Sequence, residues 1–201
     1  MAKKIRMPIV GVAIASLALG LFALQSSGQE ERMRPEEYQA QAMGQGTQMG
    51  QTFNVTVHIE EYSTPDERQV LVDAFEKAGS QGLYNALNKM KSKGHIAITG
   101  TLGYDISFAR KMASPNGTTT IRVLTSRPIR IGEEWTDSRS VDYNLSALEL
   151  DLSNEKNKST GILLPASEFT IDKKTKELHI ENYQNPWKLV DVLVRNEKKT
   201  E

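Results

Sequence analysis

Alternating apolar and polar side chains mark where the folded part of this chain begins. Phe53, Val55, Val57 and Ile59 are apolar and the residues between them are polar, which is the period of a half-buried β-strand. From residue 95 to residue 195 the same two-residue period recurs between turn-forming segments. The pattern predicts about eight strands at the regular spacing of an antiparallel sandwich or barrel.

The period changes to that of a helix after the first strand. Thr64 is a cap residue, Pro65 suits the first helical position and Glu67 completes a capping box. A first helix is predicted near 65–78, with Gly79 ending it, and a second near 81–92. Helices segregated on an antiparallel sheet make the predicted class α+β. We therefore expect a mainly antiparallel meander of about eight strands, barrel-like or a sandwich, with a two-helix insertion after the first strand.

One predicted strand, 141–152, changes its apolar phase part of the way along. Leu145 and Leu148 are separated by an odd number of positions, so they cannot lie on one face of a regular strand. This shift predicts a β-bulge between them.

The first 28 residues carry an export pattern. Lys3, Lys4 and Arg6 precede an uncharged apolar run of 17 residues, 8–24, and small residues follow up to Gly28. This order is typical of a cleavable signal peptide with a cut after Gly28. The alternative is an uncleaved membrane anchor, because the run has the minimum length for a membrane-spanning helix. We expect an exported protein, periplasmic or extracellular, or else anchored in the inner membrane.

Residues 29–51 are rich in glutamine, glycine and methionine and nearly lack β-branched side chains. Such a composition is typical of a segment that cannot bury enough apolar surface to order itself. We predict a flexible linker at 29–51, a single β-rich domain at 52–195 and a charged tail at 196–201. If the first segment is uncleaved, the linker would hold the domain away from the membrane.

Composition excludes several function classes. The chain has no cysteine, which removes disulfides, thiolate metal sites and a cysteine nucleophile. Its 25 basic and 25 acidic residues balance, so we expect no nucleic-acid partner, and a membrane partner only if the first segment is uncleaved. The remaining candidates are an unknown small molecule or an envelope protein.

No catalytic constellation is evident. His58 and His179 share the polar phase of their strands, and no pair among His58, His95 and His179 has the spacing of a local metal motif. The adjacent acids Glu60–Glu61 and Glu133–Glu134 would point to opposite faces of a strand, so neither pair can flank one bond. We predict scattered surface histidines, no metal site, no cofactor and no catalytic residues, although two acids from distant strands could converge.

Aromatic side chains are the candidate ligand-binding residues. An aromatic surface often lines a sugar or small-molecule site, whereas aromatics of β domains are also common in the core. The candidates are Trp135, Tyr143, Tyr183 and Trp187.

Short motifs between Thr52 and Arg195 resemble a family of uncharacterised exported bacterial proteins. The motifs are 57–62, 103–106, 122–123 with 127–129, 142–143, 148–150 with Gly161, and 178–183. The resemblance implies export and a β-rich domain and brings no assigned activity.

Three functions stay open. The first is a non-enzymatic exported domain that binds a small molecule or a protein. The second is an exported hydrolase whose site is assembled from distant strands, and the third is a membrane-tethered structural module of the cell envelope.

Overall fold

A computed structural model describes residues 35–113, 117–131, 145–155, 158–172, 178–184 and 186–195. All of them fall within the same structural unit. The predicted signal or anchor at 1–28 and the predicted tail at 196–201 lie outside the described residues. Among the described residues, no helix has the length and apolar character needed to cross a membrane.

Ten β-strands run through the described part of the chain. Their bounds are β1 Glu36–Gly44, β2 Thr52–Ile59, β3 Gly94–Ile98, β4 Tyr104–Asp105, β5 Phe108–Ala113, β6 Thr119–Thr125, β7 Leu145–Leu152, β8 Thr160–Ile171, β9 Leu178–Gln184 and β10 Trp187–Arg195. Helix α1, Pro65–Leu87, connects β2 to β3, and a 3-10 turn at Gly46–Gln48 lies between β1 and β2.

The strands form one curled sheet, a half-barrel. Its order is β4-β3-β2-β1-β10-β8-β7-β6-β5, and β9 pairs with β8. All of these pairings are antiparallel. The predicted α+β class with mainly antiparallel strands is confirmed. The prediction of an eight-stranded meander is wrong, because ten strands are present and the last one, β10, lies in the middle of the sheet beside β1.

β1 lies within the segment that its composition assigned to a flexible linker, so that prediction is wrong for Glu36–Gly44. The strand pairs along its length with β2 on one side and with β10 on the other. Tyr38 and Ala42 are buried in the core, while the glutamines at 39 and 41 are partly or fully exposed. Backbone pairing on both edges and two buried side chains outweigh the low β-propensity of this segment.

The predicted pair of helices is also corrected. The described residues contain one α-helix, α1, which is sharply kinked where Ala78 and Gly79 leave helical geometry; Gly79 has φ 56°. The kink lies at the glycine expected to end the first helix, because glycine reaches positive φ without steric cost. The element ends at Leu87, five residues before the predicted end at 92. The capping box of Thr64 and Glu67 is present as predicted.

The predicted bulge in β7 is confirmed. The register between β7 and β8 shifts between Leu145 and Ala147. Ser146 lies at the shift and is fully buried. Its hydroxyl donates to the Pro165 carbonyl at 2.7 Å and accepts from the Ile129 N–H at 2.6 Å, so both polar functions of this buried side chain are satisfied.

Two apolar clusters hold the fold together. The larger is made mostly of residues from the strands and includes Tyr38, Ile96, Leu148 and Trp187. The smaller lies where α1 packs on the sheet, and its members are Leu71, Leu83, Leu87, Phe108, Leu124, Leu145, Ala147, Leu164 and Phe169. α1 contributes three leucines to this cluster, and β5 contributes Phe108.

Candidate functional site

A groove of about 570 Å³ lies between the start of α1 and strand β5. One wall comes from residues 62–65 and Arg68, and the other from β5, including Phe108, Arg110 and Lys111. Glu36 of β1 and Thr119 of β6 also line it. The volume is within the range of small-molecule sites in proteins, about 300–1,000 Å³.

Two hydrogen bonds between Ser63 and Ala109 connect the first wall to the second. The Ser63 N–H donates to the Ala109 carbonyl at 2.8 Å, and the Ala109 N–H donates to the Ser63 hydroxyl at 3.1 Å. Thr64 then caps α1, so the helix begins directly beside β5. The groove therefore lies between elements whose relative position is fixed by direct contacts.

A carboxylate with three donors lies in this groove. One Glu36 oxygen accepts from the hydroxyls of Tyr62, at 2.5 Å, and Tyr38, and the other accepts from Lys111 Nζ at 2.8 Å. The two tyrosine hydroxyl oxygens lie 3.3 Å apart. Lys111 Nζ also lies 5.8 Å from the centre of the Tyr62 ring.

The pKa values of this network are displaced in opposite directions. Burial raises the pKa of Glu36, but the hydrogen bonds from Lys111, Tyr38 and Tyr62 outweigh it and leave the pKa below its ordinary 4.5. Burial and the hydrogen bond to Glu36 raise the pKa of Tyr62 and of Tyr38 above the ordinary 10.0. Glu36 is therefore ionised near neutral pH, and both tyrosines are protonated.

The lining of the groove has an excess of positive charge. Arg68, Arg110 and Lys111 are cationic, and Glu36 is the single acid among the residues that line it in the described part of the chain. Glu36 is already paired with Lys111 at 2.8 Å. Phe108 and Pro65 add apolar surface. The arrangement suits an anionic group attached to an apolar body.

Two of the aromatic side chains predicted as a ligand site, Tyr183 and Trp187, are described by the structure, and neither lines this groove. Trp187 is 1 % exposed and belongs to the core, where its ring centre lies 4.6 Å from that of Phe53. It therefore cannot present a ligand surface. Tyr183 on β9 is half-exposed, and Trp135 and Tyr143 lie outside the described residues.

The histidines are not all scattered, which corrects the prediction for two of them. His58 of β2 and His95 of β3 are direct register partners, and their ring centres lie 5.2 Å apart. His179 is exposed on β9. Among the described residues, no group of three or more potential ligands from His, Cys, Asp or Glu is arranged to hold a metal ion.

Sequence reasoning missed the groove because its parts are far apart in the chain. Glu36 and Lys111 come from distant strands, and Glu36 belongs to the segment interpreted as a linker. The available signal was the spacing of Tyr38, Ala40 and Ala42, a weak alternation that is compatible with a strand.

Comparisons with protein-family models, with curated proteins and with solved structures find no match to this chain. The resemblance to an exported family therefore stays a prediction.

Proposed function

We propose that this protein is a non-enzymatic binding domain whose groove takes a small molecule with a carboxylate or phosphate group and an apolar body. The observation that carries the proposal is the cationic, partly apolar groove between α1 and β5. Arg68 and Arg110 line this groove, and planar guanidinium groups suit carboxylates and phosphates. Phe108 and Pro65 offer contact to the apolar part.

The protonation states in the groove favour binding over hydrolysis. A general acid or base works best with a pKa near the operating pH. The pKa of Glu36 is lowered and those of Tyr38 and Tyr62 are raised, so all three are displaced away from neutrality. The network fixes a charge in place and is poorly suited to proton transfer, which makes the hydrolase the weaker alternative.

Binding of decanoate tests the proposal. Decanoate and decanol share an apolar chain and differ in charge, so we expect decanoate to raise the melting temperature and decanol to raise it less. Arg68→Gln should abolish the difference between the two ligands. Arg195→Gln, which alters an exposed arginine of β10, is the matched control and should preserve it. Equal shifts with both ligands, no shift with either, or a difference that survives in Arg68→Gln would refute the proposal.

Export of this binding domain is part of the proposal and rests on the pattern of residues 1–28. The third function, a tethered envelope module, requires the same segment to remain uncleaved. N-terminal sequencing of the soluble and membrane fractions separates the two. A mature chain that begins at Gln29 supports release, whereas a chain that begins at Met1 in the membrane fraction supports the tether.

A further inference from the structure

We propose that His58 and His95 form a surface site for a divalent transition-metal ion, with Cu²⁺ the preferred ion. The two residues are directly opposite each other on neighbouring antiparallel strands, so their side chains leave the same face of the sheet. Their ring centres are 5.2 Å apart and the ring planes are inclined by 33°. This site lies apart from the groove residues and does not depend on the proposed function.

The ring separation fits a shared ion. An imidazole nitrogen binds a metal at about 2.0–2.1 Å, which places the ring centre about 3 Å from the ion. Two such rings at about 90–110° around one ion have centres roughly 4.5–5 Å apart. The observed 5.2 Å between ring centres is therefore compatible with one nitrogen of each ring binding the same ion.

The backbone beneath the two histidines is fixed on both sides. β2 is paired with β1 as well as with β3, and β3 is paired with β4. The next register pair is Ile59 with Gly94. Gly94 has φ 143°, and a Cβ there would lie 2.0 Å from the His58 carbonyl oxygen. Glycine thus permits a close approach of the strands beside the pair, and this fixes the backbone positions of the two histidines.

Acidic residues flank the histidines in the same row of the sheet. Glu37 on β1 is the register partner of His58, and Asp105 on β4 is the partner of His95. Carboxylates beside metal-bound histidines commonly accept the second ring N–H and increase the basicity of the ligand. Glu37 also accepts from Gln39 at 3.0 Å and faces Arg195 of β10 in register. Across β1 to β4, a carboxylate therefore lies on the outer side of each of the two imidazoles.

The expected site has two protein nitrogens, with water completing the coordination. The described residues contain no ready third ligand, so binding should be weaker than at a closed structural site. Imidazole sites of this kind follow the Irving–Williams order, in which Cu²⁺ binds more tightly than Ni²⁺ or Zn²⁺.

Titration of the metal-free, full-length chain with CuSO₄ tests the proposal. We expect a Cu²⁺ site whose electron paramagnetic resonance spectrum shows coupling to two imidazole nitrogens. Affinity should weaken as the pH falls, because protons compete for both rings. His58→Gln and His95→Gln should each lower the affinity at least about tenfold, while His179→Gln, an exposed histidine elsewhere, should leave it unchanged.

Several outcomes would overturn the site. They are an unchanged affinity in His58→Gln or His95→Gln, an equal loss in His179→Gln, or a spectrum with one imidazole nitrogen. Circular dichroism and melting temperature confirm that each variant is folded. If one variant fails to fold, the two-nitrogen spectrum of the unaltered chain still decides the question.

Discussion

Lys93 Nζ lies 2.8 Å from a carboxylate oxygen of Glu67 and 2.9 Å from one of Glu61. The Lys93 side chain is only 4 % exposed. The other Glu67 oxygen accepts from the Thr64 N–H at 2.8 Å, closing the capping box. A buried ammonium group therefore joins the start of α1 to the segment that leads into β3.

Replacing Lys93 should destabilise the fold. Lys93→Met leaves two carboxylates without their shared cation, and breaking a buried pair costs about 3–5 kcal/mol. Because both carboxylates keep some solvent contact, we expect a loss of about 2–3 kcal/mol in the free energy of unfolding. Urea denaturation measures this loss.

Lys91→Met is the matched control. Lys91 also faces Glu61, at 3.6 Å, but its side chain is 80 % exposed. We expect a change below about 0.5 kcal/mol, since exposed ion pairs contribute little. Equal effects of the two substitutions would contradict the role assigned to Lys93.

The same cluster predicts how stability depends on pH. The hydrogen bond and charge of Lys93 lower the pKa of Glu61. Burial raises the pKa of Glu67, but hydrogen bonds from Lys93 and Thr64 outweigh it, so this pKa is lowered too. A carboxylate whose pKa is lower in the folded state than in the unfolded state stabilises the fold. The stabilisation is complete above the pKa of the unfolded state, here near 4.5. It is lost as the pH falls through the pKa of the folded state.

The stabilising effect of Lys93 has the opposite pH dependence, because it is lost at high pH. Burial lowers its pKa, but the hydrogen bonds to Glu67 and Glu61 raise it above 10.5 overall. Its stabilising effect is therefore complete below that value and is lost as the pH rises through the pKa of the folded state.

Urea unfolding at about pH 7 and about pH 3 tests the acid side of this prediction. The difference in the free energy of unfolding between the wild type and Lys93→Met should be smaller at the lower pH. A difference that is constant with pH would show that the ion cluster is not its source.

Gly82→Ala should destabilise the chain although alanine is the better helix former. Beyond the kink of α1, a Cβ at Gly82 would lie 2.1 Å from the Ala74 carbonyl oxygen, so backbone must shift. We expect the free energy of unfolding to fall by about 1–3 kcal/mol, as it does when a core is overpacked. Helix propensity alone would instead raise it by about 1 kcal/mol. Thermal unfolding followed by circular dichroism measures the sign. Ser80→Ala is the control in the same half of the helix, and a stabilised Gly82→Ala would disprove the close contact.

Tyrosine ionisation should report the Glu36 network. The chain has six tyrosines, and the pKa values of Tyr38 and Tyr62 are raised by burial and by their hydrogen bonds to Glu36. Absorbance of tyrosinate near pH 11 should therefore indicate fewer ionised tyrosines in the folded protein than in the urea-unfolded one. Glu36→Ala should increase the folded-state signal. Glu37→Ala, on the opposite face of β1, should not; if it acts equally, Glu36 is not the cause.

The elements that were predicted from the sequence are those whose signals are local. The alternation at Phe53–Ile59, the capping box at Thr64 and the phase shift near Leu145 each involve a few neighbouring residues, and the structure contains all three. β1 could not be predicted in this way, because its stability comes from pairing with β2 and with the distant β10.

Predicting the groove and the histidine pair would have required the same non-local information. His58 meets His95 through the sheet register, whereas Glu36 meets Lys111 although β1 and β5 are not neighbours in the sheet. Hydrophobic patterning specifies neither contact, because each joins residues of different strands that lie far apart in the chain. Trp187 was misjudged for another reason. The sequence shows that this residue is aromatic, which is typical of ligand sites and of cores alike. Only its packing beside Phe53 shows that it is enclosed.

The position of β10 between β1 and β8 has a consequence for how the chain folds. Among the described strands, β1 to β4 form one side of the sheet order and β5 to β9 the other, and β10 is the strand that joins them. Of the described strands, β10 is synthesised last. Until residues 187–195 are available, β1 and β8 present unpaired backbone edges, which favour association with other chains. β1 and β10 must therefore pair late, and a product shortened before Trp187 would lack the strand that joins the two halves of the sheet.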